Sequence, residues 1–153
     1  DPSSLDALLY LAELFHMNYG RGYAAALPVY QQILHLKPTN KEFTIAAYFG
    51  IGCLHYAPGS PVSYTDALAA FEHAVETDPQ RADAHHNLGT ALLRKGNRER
   101  ARKEFLLAEQ LSRQQGQPTE GIQSMLDMID KNEPITHSFL INHSTLFRWP
   151  QKE

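Results

Sequence analysis

The sequence predicts an all-α fold in which antiparallel helix hairpins stack on one another. Apolar residues recur at helical spacing through most of the chain, breaks rich in glycine or proline divide these stretches, and one pattern of small and aromatic residues returns three times. The clearest copy runs from Ala82 to Leu111. It predicts two helices around a tight turn, with Gly89, Ala101 and Ala108 placed where the helices approach closely.

The first copy covers about residues 5–38. Its apolar residues from Leu5 to Phe15 follow one helical face, and two glycines then break the helix. A second helix is predicted to end before Pro38, because a residue that precedes proline is disfavoured in the helical conformation. Pro28 lies inside this second helix, so we expect the helix either to begin nearer Pro28 or to be mildly kinked there.

The second copy covers about residues 39–79. Thr39 and Glu42 fit a capping box, in which each side chain accepts a backbone N–H at the start of a helix. A short run of prolines and glycine ends that helix. The next helix is expected to be capped by Ser63 or Thr65 and to end at the Asp-Pro pair that closes the copy.

The second helices of the three copies align at steps of 41 and 34 residues. The equivalent positions are Ala26, Ala67 and Ala101; Tyr30, Phe71 and Phe105; and Ile33, Ala74 and Ala108. An internal period of this length is typical of helical solenoids, because one hairpin cannot bury its own apolar face and must stack on a neighbour.

The pattern resembles that of the tetratricopeptide-repeat family. The third copy matches most closely, through Ala84, Leu88, Gly89, Ala91, Gly96, Ala101, Phe105 and Ala108. The other two copies match less closely, and the three repeats span about residues 5–38, 39–79 and 82–113. The resemblance implies a right-handed superhelical stack of hairpins that binds another protein or peptide along its concave face.

Two positions concern the ends of the stack. Arg113 stands where the closing proline of the third repeat is expected. Pro2 precedes Leu5 by as many residues as Pro79 precedes Ala82, which indicates a further repeat upstream.

The last part of the chain is expected to close the solenoid. A helix at about residues 119–131, capped by Thr119, places Ile122, Met125, Leu126 and Ile129 on one face, so residues 1–131 are predicted to form one repeat domain. Residues 132–153 form an apolar tail containing Phe139 and Trp149. The tail either packs on the solenoid, as we expect, or fills the groove of its own or a neighbouring chain, or awaits a partner.

The concave face is the candidate partner-binding site. Its predicted lining is Leu9, Glu13 and His16 in the first repeat; Phe49, Cys53 and Tyr56 in the second; and His86, Thr90 and Leu93 in the third, with Arg94 at the edge. This mostly apolar surface suits a peptide with apolar anchors. Phe49 and Cys53 are equally well interpreted as core residues. Family members that recruit chaperones bind a C-terminal carboxylate with basic residues here, which this chain replaces with Leu9, Glu13 and Phe49.

The sequence does not favour catalysis, a cofactor or a metal site. His85 and His86 face different sides of a helix, and no pair of histidines has zinc-binding spacing. No phosphate-binding loop or nucleophile elbow is present, although Cys53 beside His55 or His86 is a conceivable nucleophile. We therefore predict a chain that is not an enzyme, with a histidine-based metal or catalytic site as the weakest alternative.

Charge and apolar content restrict the partners. With 14 basic and 17 acidic residues the net charge is -3, so no overall field attracts nucleic acid or an anionic membrane. The basic run from Arg94 to Lys103 is interleaved with glutamates and is interpreted as a solvated face. Cys53 is the single cysteine and no apolar run reaches the roughly 20 residues of a membrane span. We expect a cytoplasmic protein, or a periplasmic or membrane-anchored one if an upstream segment has been removed.

Two hypotheses on function follow. In the first, the chain is a scaffolding or assembly module that binds a polypeptide segment through its concave groove. In the second, it is an oligomerisation unit whose groove is filled by the C-terminal tail, which would make it a homo-oligomer.

Overall fold

A computed structural model describes residues 4–17, 22–56 and 60–134, apart from the side chains of His16 and Met17. These residues form seven α-helices and no strand, which confirms the all-α prediction. The helices are α1 (Leu5–Met17), α2 (Tyr23–His35), α3 (Lys41–Leu54), α4 (Tyr64–Thr77), α5 (Ala82–Arg94), α6 (Arg98–Gln114) and α7 (Glu120–Asp130). The predicted superhelical hand stays a prediction.

Residues Asp1–Asp78 form one compact unit, called the N-terminal unit below. Within it α1 packs on α2, α3 packs on α4, and α3 also packs on both helices of the preceding hairpin. The core consists of small and large apolar side chains that alternate along these helices: Leu8, Ala12, Ala26, Tyr30, Ile33, Ile45, Ala47, Leu54, Ala67, Phe71 and Ala74. Each hairpin therefore buries its apolar face partly against its neighbour.

The helix starts in this unit differ in part from the prediction. Asn40, not Thr39, caps α3: its extended backbone lets the side-chain oxygen accept the backbone N–H of Glu42 at 3.0 Å. The predicted capping box is therefore wrong. Ser63 caps α4 as one of the two expected residues, and its hydroxyl accepts the backbone N–H of Asp66 at 3.1 Å.

Pro28 lies within α2, which begins at Tyr23. The expected later start is therefore wrong. A proline in this position gives up one backbone hydrogen bond. The buried side chains Ala26, Tyr30 and Ile33 on either side of it hold the helix in place by their packing.

Residues Pro79–Glu153 form a second compact unit, called the C-terminal unit, which is described as far as Pro134. Here α5 packs on α6, and α7 packs on α6. The buried stripe of α7 contains Ile122, Met125, Leu126 and Ile129, as predicted, and also Met128. Thr119 stands at the start of α7, but its side chain makes no capping hydrogen bond, so its predicted capping role is wrong.

Glycines with left-handed backbone end both helices of the third hairpin. Gly96 has φ +81° and follows α5, and the N–H of Asn97 donates to the carbonyl of Leu92 at 3.0 Å. Gly116, with φ +67°, ends α6 by the same arrangement of bonds. This glycine stop explains how the third repeat closes without the proline that the family pattern expects at Arg113.

The aromatic residue of each second helix packs on a glycine of a first helix. A methyl group at Gly52 would lie 2.4 Å from Cζ of Phe71, and one at Gly89 would lie 3.0 Å from Cε1 of Phe105. Tyr30 differs, because its ring covers Gly50 of the following repeat. These contacts set how closely the helices approach.

Candidate functional site

The predicted inner-face residues of the N-terminal unit lie on α1, on α3 or, for Tyr56, just after α3, and the two helices pack on each other. Leu9, Glu13, Phe49 and Tyr56 are half-buried and so remain partly accessible. Cys53 is buried, with 5% of its surface exposed. The side chain of His16 is outside the described residues, so its predicted role stays a prediction.

Tyr30 of α2 connects this surface to the core. Burial raises the pKa of its phenol above the ordinary value, and the electrostatic influence of Cys53 and Glu13 adds to the increase. The hydroxyl therefore stays protonated at physiological pH and lies within electrostatic reach of two predicted site residues. The repeat pattern predicts Tyr30 only as a core residue. The sequence signal for its link to Glu13 and Cys53 is its hydroxyl, which the equivalent Phe71 and Phe105 lack.

Phe49 lies between core and surface. Its ring centroid is 6.5 Å from that of the buried Phe71, with the rings tilted by 50°. One part of the side chain thus packs on the core, while the remainder stays accessible. Both core and groove are open interpretations of Cys53 and Phe49: Cys53 has the exposure of a core residue, whereas Phe49 packs on the core and stays partly accessible, so its groove role stays a prediction.

Tyr56 follows the end of α3 and is held by aromatic neighbours. The ring of His55 lies edge-on to Tyr56 at 5.0 Å and to Tyr64 at 5.9 Å. Nδ1 of His55 is 2.9 Å from the carbonyl oxygen of Val62, so this histidine ties the end of α3 to the segment before α4. The position of Tyr56 is therefore fixed by contacts of its own hairpin.

The predicted inner-face residues of the C-terminal unit are mostly buried. His86 is 2% exposed, Thr90 and Leu93 are fully buried, and Arg94 is half-buried. The Thr90 hydroxyl donates to the carbonyl of His86 at 2.9 Å, and the His86 ring lies 5.4 Å from that of Phe105. In this structure a partner can therefore reach Arg94 but not the other three.

The reason lies in the surroundings of α5, of which eleven of thirteen residues are buried. Spacing of i, i+4 and i+7 selects the accessible face of a helix that is covered on one side. It cannot do so for a helix covered on nearly all sides.

The family comparison supports the repeat pattern. Residues 63–123 match the family model described as tetratricopeptide repeat. This part of the chain is similar to tetratricopeptide repeats. The match spans α4, the third hairpin and the start of α7, and it confirms the resemblance where the sequence pattern is clearest. A search of curated proteins found no match for the chain.

His85 lies within the matched residues, is buried, and has an oxygen atom within hydrogen-bonding distance of each ring nitrogen. Nδ1 lies 2.8 Å from Oε2 of Glu104, and Nε2 lies 3.0 Å from the carbonyl oxygen of Pro79. Burial alone would lower the pKa of the imidazole, but the bonds to Glu104 and Pro79 outweigh it and raise the pKa above 6.5. The His85 ring therefore joins the start of α5 to α6.

The pKa of His86 shifts in the opposite direction. Burial lowers its pKa from 6.5 to about 4, and a hydrogen bond with Asn87 offsets this only in part. The pKa values of the neighbouring histidines therefore shift in opposite directions, because the ring of His85 lies against the Glu104 carboxylate and the ring of His86 is buried.

Two searches of the described part of the chain bear on other functions. No group of three or more histidine, cysteine, aspartate or glutamate side chains within it could hold a metal ion. None of its helices combines the length and the apolar character that crossing a bilayer requires.

Proposed function

We propose that the chain is a protein-interaction module that binds a polypeptide segment through the inner face of its N-terminal unit. Tetratricopeptide repeats mediate protein–protein interactions and scaffolding. The observation that supports this site best is the set of half-buried side chains at predicted inner-face positions: Leu9, Glu13, Phe49 and Tyr56. Residues that combine partial burial with accessible apolar surface serve as anchors for an apolar ligand side chain.

The proposed division of roles follows from burial. Leu9, Phe49 and Tyr56 supply apolar contact, and Glu13 supplies a negative charge in their neighbourhood. Arg94 of the C-terminal unit is the accessible member of its own predicted set. The remaining predicted residues, Cys53, His86, Thr90 and Leu93, act from the interior by keeping the helices in place.

A peptide-display library selected on the chain provides the probe for a test. A selected peptide should bind the wild type and lose affinity for a Phe49→Ala, Tyr56→Ala double variant. A Leu106→Ala, Leu107→Ala variant is the matched control, because these exposed apolar residues lie on α6 of the C-terminal unit and are not members of the proposed site. Equal losses in both variants would contradict the proposed site.

Light scattering separates this function from self-association through the tail. The proposal expects the same monomeric mass with and without residues 133–153. A higher mass that falls on truncation would instead identify an oligomerisation unit.

A further inference from the structure

The helix α1 carries an apolar face that is exposed. Tyr10 is 64% exposed, Leu14 is 47% exposed, and Leu11 and Ala7 are exposed as well. Their positions at i, i+3, i+4 and i+7 place them in one stripe of the helix. A contiguous apolar stripe on a surface helix is typical of an interaction surface.

The equivalent face of the next repeat is buried. Since Leu11-Ala12 aligns with Ile51-Gly52, the counterparts of Ala7, Tyr10 and Leu14 are Ala47, Gly50 and Leu54. Ala47 and Leu54 are fully inaccessible, and Gly50 is buried beneath the ring of Tyr30.

The preceding hairpin supplies part of this cover, because α3 packs on both α1 and α2 and the ring of Tyr30 in α2 lies over Gly50. The face exposed on α1 is thus the one by which a repeat stacks on the hairpin before it.

The side chains on the exposed face of α1 determine which kind of helix can pack against it. The second repeat has Gly50 where the preceding hairpin inserts Tyr30, whereas α1 presents Tyr10 itself at this position. A matching helix must therefore offer a small residue opposite Tyr10, with apolar residues against Leu11 and Leu14.

A second copy of this chain fits the face poorly. The N-terminal unit contains eight acidic and three basic residues, and Asp6 is exposed on α1 itself. Pairing two copies through α1 would bring like charges together.

The Asp-Pro pair that ends the second repeat also occurs at Asp1-Pro2, at the same distance from the next helix.

We propose that the exposed face of α1 is a docking surface for a further helical hairpin of the repeat type, stacked on α1 as the α1–α2 hairpin is stacked on α3. This site is separate from the proposed peptide-binding face. The face takes an amphipathic hairpin that enters in line with the repeats, rather than an extended peptide or another copy of the chain.

The test uses a fusion protein in which a second copy of residues 39–77 is joined to the N-terminus of the chain. In this fusion Asp1-Pro2 follows the added hairpin, just as Asp78-Pro79 follows α4 in the chain itself. This hairpin suits the purpose because the ring of Phe71 covers Gly52 of its own hairpin, whereas the ring of Tyr30 covers Gly50 of the following repeat. One hairpin alone does not bury enough apolar surface to be stable. Its helical circular dichroism signal therefore appears only if it stacks.

Protection of the α1 face gives a second measurement. A Leu14→Cys thiol, in a Cys53→Ala background, should react with a thiol reagent about tenfold or more slowly in the fusion than in the unfused chain. A Leu11→Glu, Leu14→Glu pair should leave the Tm of the unfused chain nearly unchanged and should lower the Tm of the fusion.

Three results would overturn the proposal. The first is a fusion without added helix, and the second is an equal rate of thiol modification in both proteins. The third is a dimeric mass of the unfused chain that Leu14→Glu abolishes, since it would identify a second copy as the occupant.

Discussion

The ring of Tyr30 fills the space that a side chain at Gly50 would need: a methyl group there would lie 2.1 Å from Cζ of the ring. Both residues are buried, and Tyr30 belongs to α2 while Gly50 belongs to α3 of the next hairpin. This contact therefore holds two successive repeats together. A Cβ at position 50 would require the fully buried ring of Tyr30 to shift within a packed core.

Gly50→Ala should lower the free energy of unfolding by about 1–3 kcal/mol, since an added methyl group forces apart two packed helices. Urea denaturation measures the change. Gly121→Ala in α7 is the matched control, because in the described part of the chain the added methyl group would meet no heavy atom within 4 Å apart from its own stretch of helix. Alanine there should be neutral or stabilise the helix by up to about 1 kcal/mol. Equal effects at the two glycines would contradict the contact.

Gly89 allows a graded test of the third hairpin. A methyl group at this position would lie 3.0 Å from the Phe105 ring, a tighter contact than usual but less severe than at Gly50. Gly89→Ala should therefore cost less stability than Gly50→Ala. Gly89→Leu should destabilise strongly, by about 3 kcal/mol or more, because its branched side chain cannot fit between α5 and α6. Thermal melting that is unchanged in Gly89→Leu would refute the hairpin packing.

The contact between His85 and Glu104 predicts a loss of stability at high pH. The pKa of His85 is raised in the folded protein, so folding favours the protonated ring. This stabilisation is complete below the ordinary pKa of 6.5 and disappears as the pH rises through the raised value. Glu104→Gln should therefore cost about 1–2 kcal/mol more near pH 6 than near pH 9. Chemical denaturation at the two values checks this, and a pH-independent cost would exclude the charged contact.

His86 predicts the opposite slope. Its pKa falls to about 4 on folding, so the unfolded chain binds a proton between pH 6.5 and 4 that the folded chain does not bind. Stability is therefore lost as the pH falls through this interval. In the His86→Gln variant, the fall in the free energy of unfolding over this pH interval should be smaller by up to about 3 kcal/mol. Comparing wild type and variant by denaturation at about pH 6.5 and pH 4 tests it, and parallel curves would show that His86 is not responsible.

The repeat architecture could be predicted from the sequence because its signals are local. Glycine, proline and the small and aromatic positions mark helix ends and close contacts, and they recur in one order. The surroundings of each helix could not be predicted in this way. His86 and Thr90 were placed on an accessible face by their spacing, but α5 is buried on nearly all sides. Periodicity identifies the faces of a helix, whereas the number of neighbours that cover it depends on tertiary packing.

Smaller differences have the same origin. Thr39 and Asn40 are both good capping residues, and the choice between them depends on which one has the extended backbone at the start of α3. The electrostatic link of Tyr30 with Glu13 and Cys53 joins three helices. No spacing within one helix could reveal such a link.

Isothermal titration calorimetry with a peptide selected on the wild-type chain tests the central claim most directly. Binding through the inner face of the N-terminal unit predicts that Phe49→Ala and Tyr56→Ala each weaken the Kd about tenfold or more. Circular dichroism should show the helical content unchanged in both variants. Leu106→Ala, the control on α6, should keep the wild-type Kd. Wild-type affinity in both Phe49→Ala and Tyr56→Ala would contradict the claim that this face binds the partner.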